Sequence, residues 1–145
     1  MSNIHQTMSA DHRACDKHFA AAEQAAASND LEGAKQHLAQ FVTDTERHLR
    51  AEEELLFPEF EKRTGMTMGP TRVMRHEHAQ MRELFRAMES ALAASDLDEF
   101  LGQGETLMIL MQQHNMKEEN VLYPMTDQAF GPEGEALATK LRELR

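Results

Sequence analysis

Apolar residues recur along this chain at alternating steps of three and four in four separate stretches, the pattern of helices that each bury one stripe. The first stripe carries Met8, His12, Cys15, Phe19, Ala22 and Ala26, and the second Leu38, Phe41, Thr45, His48, Glu52 and Leu55. The third runs through Met74, His78, Met81, Phe85, Met88 and Leu92, and the fourth through Leu107, Met111, His114, Glu118, Val121 and Met125. No stretch alternates with the period of two that a half-buried strand needs. Punctuation agrees with this reading. Asp30 opens the second helix and Pro58 ends its regularity; Pro70 suits the first turn of the third. Ser95-Asp96-Leu97-Asp98 reads as a capping box for the fourth helix, which Pro124 should end or kink. A short fifth helix is predicted after Gly131 and Pro132. Short loops near Asn29, Gly65 and Ser95 make consecutive helices antiparallel. The fold predicted is therefore all-α, an up-down-up-down four-helix bundle, with residues 1–145 as one domain.

The polar residues inside the stripes say more than the apolar ones. HLRAEEELLFP, from His48, and HNMKEENVLYP, from His114, share a histidine, two glutamates, a leucine, an aromatic and a proline in register, 66 positions apart. The same offset carries Asp11-His12 onto Glu77-His78, Phe19 onto Phe85, and Asp30-Leu31 onto Asp96-Leu97, so the chain is two related helical hairpins. His12 and His48 each lie 18 residues from Asp30, and His78 and His114 each lie 18 from Asp96. Glu52 and His78 are each 13 from Gly65. With a rise of about 1.5 Å per residue, antiparallel hairpins bring all of these to one level. Glu52 and Glu118 each follow a histidine by one helical turn and share its face.

Two carboxylates in a core without compensating charge would cost several kcal/mol each, and metal ions supply that charge. His12, His48, Glu52, His78, His114 and Glu118 are thus the candidate ligands. Four imidazoles with two carboxylates suit an octahedral, hard-to-borderline ion. Two irons fit best and manganese second; zinc, which prefers four ligands and often cysteine, is a further metal to expect on purification.

Composition changes the picture in two places. Eight histidines in 145 residues is a high count for the side chain most used for metal ligation near neutral pH. A net charge of -10 with no Lys/Arg cluster argues against a nucleic-acid partner. Charges or amides interrupt every apolar run before the roughly 18 residues a membrane span needs. A lone cysteine and the absence of a signal-like apolar run at the start lead us to expect a cytoplasmic protein.

Other residues rank lower. His5, His18, His37 and His76 have no histidine 66 positions away and read as surface or helix-end residues. His76 and His78 are two apart on a helix, point to nearly opposite sides, and cannot both face one site; stripe and repeat choose His78. Cys15, matched by Met81, reads as packed core, and Tyr123, matched by Phe57, as a packing residue that could also donate to a bound ligand. Glu53 and Glu119 should face solvent, with Glu119 as a reserve ligand.

Taken as a set, Asp11-His12, the His48 motif, Glu77-His78 and the His114 motif resemble the hemerythrin-like, or HHE cation-binding, family from Ser9 to about Thr126. The resemblance implies a non-haem di-iron centre in a four-helix bundle, with Glu52 and Glu118 bridging the metals. Members bind dioxygen reversibly, respond to iron, oxygen or nitric oxide, or assist repair of iron–sulfur centres. The oxygen carriers place HxxxH on the third helix, where this chain has Met74 four residues before His78. They place HxxxxD on the fourth, where Glu118 follows His114 by four. A missing imidazole leaves a coordination position open, with Met74, a poor ligand for hard iron, packed beside it.

The function expected is a di-iron protein that binds or senses dioxygen or nitric oxide, more a binding protein than a turnover enzyme. The alternative is an enzyme reducing nitric oxide or peroxide, or an iron-donating repair factor. A sensor would need a redox or output protein as partner, since the chain shows no output domain.

Overall fold

The computed structural model describes residues 3–144 as helices joined by short turns, with no strand among the described residues. Helix α1 spans Ile4–Ala27. Helix α2, Leu31–Ala51, runs without interruption through a π-helical segment, Glu52–Leu56, into α3, Phe57–Thr64. Helix α4 spans Pro70–Ala93; α5, Leu97–Lys117, runs through a second π segment, Glu118–Leu122, into α6, Tyr123–Phe130. A 3₁₀ turn, Gly131–Glu133, leads to α7, Gly134–Leu144, the predicted fifth helix. The result is a four-rod bundle with α1 beside α2 and α5, α4 beside α2 and α5, and α7 against the end where α1, α3 and α6 meet.

Each hairpin turns in the same way. Asn29 and Ser95, 66 positions apart, both take left-handed backbone (φ 61° and 58°). The aspartate that follows each one caps the next helix: Asp30 accepts from the Gly33 N–H at 2.9 Å and Asp96 from the Glu99 N–H at 3.0 Å. Asp96 is therefore the cap, and Ser95, expected to begin a capping box, is the turn residue before it. Gly65, at φ 75°, ends α3 where a side chain would be strained.

The loss of regularity expected at Pro58 is present as the π segment just upstream, and Pro124, expected to end or kink its helix, follows a matching segment. Pro58 and Pro124 neither end nor break their rods; each sits in the first turn of the helix that resumes after a π segment. A proline ring clashes with the carbonyl four residues back, here that of Glu54 or Asn120, and the wider π turn relieves the clash upstream. That turn also shifts the stripe by one residue. Leu56 and Leu122 point inward in place of Leu55 and Val121; Val121 is 47% exposed and Leu122 1%.

Two apolar clusters result. One, built on Phe19, Phe41, Phe85, Met88, Phe100 and Leu107, fills the hairpin-turn end, with Phe85 edge-on to Phe41. The other, with Met8, Phe57, Phe60, Met74 and Leu141 among its members, fills the α7 end. Between them lies a slab of buried polar side chains.

Candidate metal centre

Each rod contributes to this slab: His12 from α1, His48 and Glu52 from the second rod, His78 from α4, His114 and Glu118 from the fourth. All six are buried, and Glu52, His78 and Glu118 are 0% exposed. His12, His48, Glu52 and Glu118 each offer one atom within 4.8 Å of the others, and so do Glu52, His78, His114 and Glu118. The structure thus brings together all six residues singled out from the sequence, as two four-donor clusters that share both carboxylates. His78 is in the slab and His76 is exposed, as stripe and repeat require.

A carboxylate orients every ring. The Nδ1 of His48 meets Asp11 at 2.6 Å, and those of His12, His78 and His114 meet Glu119, Glu53 and Glu77 at 2.8 Å each. With Nδ1 committed, each ring turns Nε2 toward the shared glutamates, as in carboxylate–histidine–metal triads. Glu53 and Glu119 are therefore bonded partners of histidines across the bundle, where free exposure was expected, because one edge of each carboxylate reaches inward between rods. Asp11 and Glu77 carry the same role without having been assigned one. The repeat held the signal: the offset of 66 pairs Asp11 with Glu77 and Glu53 with Glu119.

The clusters differ at Tyr123. Its buried hydroxyl lies 2.6 Å from Glu52 Oε2, 2.9 Å from Glu118 Oε1, 3.1 Å from His12 Nε2 and 3.4 Å from His48 Nε2. An α-helical period turns residue i+5 away from residue i, whereas a π turn stacks the two. This is how Tyr123 comes beneath Glu118. Phe57 holds the matching position beneath Glu52, its ring 5.5 Å from that of His78, with no polar atom to offer.

Glu52 Oε1, His78 Nε2, His114 Nε2 and Glu118 Oε2 are buried and lack a hydrogen-bond partner among the described residues. His78 Nε2 and Glu52 Oε1 approach to 3.1 Å without hydrogen-bond geometry. Buried polar atoms left unpaired are costly, and the four residues that carry them form one of the two clusters, a donor set that suits a cation.

Burial alone would lower the imidazole pKa values, but the surrounding carboxylates outweigh it. His12, His48 and His78 are raised, and His114, facing Glu118 and Glu77, is pushed up to about 10. Against its own burial, Glu118 is held well below the carboxylate range, chiefly by His114. Burial, then the charges of Glu118 and Glu52, lift the Tyr123 phenol well above its ordinary value and keep it protonated. Protons therefore compete with a cation for these imidazoles.

A cavity of about 10 Å³ adjoins the histidines, lined by Cys15, Thr45, Met81 and Met111 beside His12, His48, His114 and Glu118. Cys15 is buried, and burial raises its thiol pKa. Met74 is buried in the α7-end cluster, 66 positions from Met8 in the same cluster. The remaining histidines stay outside the slab: His37 is exposed, His5 is partly buried, and His18 lies 3.2 Å from Asp44. No helix is long and apolar enough to cross a membrane among the described residues.

Compared with known proteins, residues 3–126 match the family model described as hemerythrin HHE cation binding domain. No curated protein and no solved structure gives a match.

Proposed function

This chain belongs to the hemerythrin HHE cation-binding family and so binds metal cations, and from that premise we propose that its metals are two irons serving a diatomic ligand, dioxygen or nitric oxide. The observation that carries the reading is the pair of four-donor clusters with both carboxylates in common. His12 and His48 would hold one ion, His78 and His114 the other, with Glu52 and Glu118 serving both. Bound iron would supply the electrons and vacant coordination positions that a diatomic ligand needs.

The chain's own residues prepare the rest. Asp11, Glu53, Glu77 and Glu119 fix the imidazoles in one tautomer and one orientation. Tyr123 holds a proton between Glu52 and Glu118. The sulfur-lined cavity of about 10 Å³ is the size of one water, which favours a small neutral guest over a hydrated ion. Met74 stands where oxygen carriers have a further histidine, which favours a site with a position free. A lone, buried cysteine suits a cytoplasmic setting.

Anaerobic loading with ferrous iron, then measured oxygen or nitric oxide and an optical spectrum, tests the proposal. A ligand-dependent band that vanishes when the gas is removed supports reversible binding. A spectrum indifferent to both gases, in protein holding two irons, overturns it. One observation favours the second reading, an enzyme that reduces nitric oxide or peroxide: the Tyr123 proton lies within the site. Sustained consumption of either substrate with a reductant would select that reading.

A further inference from the structure

Among the positions where the offset of 66 pairs unlike residues, several lie close to the donors. His78 leans on Glu53, and Arg82 clamps Glu53 with Nη1 at 2.8 Å and Nη2 at 3.0 Å while its Nε reaches Glu46 at 2.9 Å. His114 leans on Glu77, which Lys117 grips from the same helix. On the other side His12 leans on Glu119, and the residue matching Arg82 is Asp16, an exposed carboxylate. Arg13 and His5 lie near enough to act on Glu119 by charge, yet neither forms an ion pair with it among the described residues.

The side that carries Asp16 is open. A groove of about 230 Å³ runs between α1 and α5, with Asp16 and Glu23 in its walls and Met111 and Asn115 at its floor. Met111 and Asn115 also line the cavity beside His12, His114 and Glu118, so these two side chains separate solvent from the ligands. Across the bundle, Asn115 is matched by buried Leu49 and Gln112 by Glu46, the residue that Arg82 ties to α4. Where one side presents a groove with Asp16 in its wall, the other presents the Arg82–Glu46 ion pair.

On the basis of the two-cation reading, we propose that the subsites are unequal in exchange. The cation at His12 and His48 is the labile one and passes through the α1–α5 groove beside Asp16; the cation at His78 and His114 is retained. The hydrogen bonds agree at the histidines: Nε2 of His78 and of His114 has no hydrogen-bond partner among the described residues, whereas the Tyr123 hydroxyl lies against Nε2 of His12 and of His48. An acidic channel draws divalent cations and speeds their passage, and a guanidinium in the same place would repel them and pin Glu119.

The test uses the full chain loaded with cobalt(II) and challenged with excess chelator while the visible bands are followed. Two equivalents should load and leave in two phases. Asp16→Arg, which copies Arg82, should slow the fast phase of loading on the order of tenfold, at the low end of what local charge does to association rates, and spare the slow one. Arg82→Ala should speed the slow phase only. Glu89→Arg, an equal charge change on exposed α4 surface, should alter neither. A single release phase, or equal slowing of both phases by Asp16→Arg, would overturn the inference while leaving two bound cations. Uptake of one equivalent would overturn the two-cation reading itself and this inference with it.

Discussion

The hairpin ending at Phe57 and the one ending at Tyr123 place their histidines, glutamates and ring-orienting carboxylates alike, yet surround them differently. In each, a histidine on the first rod and a His–Glu pair on the second meet at one level. The carboxylates behind His78 and His114 are anchored by Arg82 and Lys117; behind His12 the matching support is replaced by Asp16. A hydroxyl lies under one cluster and a phenyl ring under the other. The shared parts are those that coordination demands of both subsites, and the parts that differ govern access, protons and rigidity. A repeated scaffold can thus hold two metals of unequal character without changing a ligand.

The largest effect should come from removing what the two sides share. Glu118→Gln takes a carboxylate from both clusters, and metal analysis after reconstitution should find nearly none bound; full loading would mean that Glu118 is not common to both. Next, His78→Ala should leave the His12 side able to bind and cut the metal content by roughly half, while His76→Ala, on the exposed face of α4, should cost nothing. Equal loss in both variants would contradict the helix register.

Acid and base titrate the comparison further. In metal-free protein His114 has a pKa of about 10 against 6.5 for the free side chain, so its stabilisation is complete below pH 6.5 and fades as pH rises toward 10. Glu53 and Glu77, both lowered to about 2 from 4.5, stabilise above pH 4.5 and lose that contribution as pH falls toward 2. Thermal melts of the metal-free protein should therefore peak between about pH 4.5 and 6.5. Metal retention should run the other way over the neutral range, weakening as pH drops, because protons compete for the imidazoles. Parallel pH profiles for melting and metal retention would refute this account.

Smaller changes should follow from making the two sides alike. Tyr123→Phe reproduces Phe57 and strips a hydroxyl from four polar neighbours, which should lower metal-free stability by about 1–3 kcal/mol. The clearer sign is selectivity, because the effect should concentrate on the His12 subsite. Arg82→Ala breaks a half-exposed bridge and should cost about 1 kcal/mol or less in a denaturant melt.

Four helices, their turns and six convergent donors were legible because periodicity and the repeat are local signals that need no tertiary context. Leu56 and Leu122 were not, and Tyr123 read only as a packing residue that could donate, since each lies beyond a π turn that changes the period from which their facing is read. Two prolines at matching positions mark both turns, but a proline by itself suggests a break as readily as a widened turn. Glu53 escaped, and Glu119 was marked only as a reserve ligand, for another reason. Whether a glutamate beside a ligand points to solvent or spans to the next rod depends on side-chain reach between helices, which stripe analysis does not describe. Arg82, Lys117 and Asp16 become informative only when each position is read against its counterpart 66 residues away.

Each long rod behaves as two screws joined out of phase. Upstream of Glu52 and Glu118 the thread is cut to present ligands, and downstream it is cut to fill the α7 end; the extra residue in each π turn supplies the offset of about 100° between them. Deleting Asn120 would restore one continuous thread and swing the Tyr123 hydroxyl, with every core residue below it, away from its seat. Substitution within either segment leaves the phase alone. Length at these two junctions is therefore held more tightly than composition, and a one-residue deletion there should do more harm than most exchanges of a side chain.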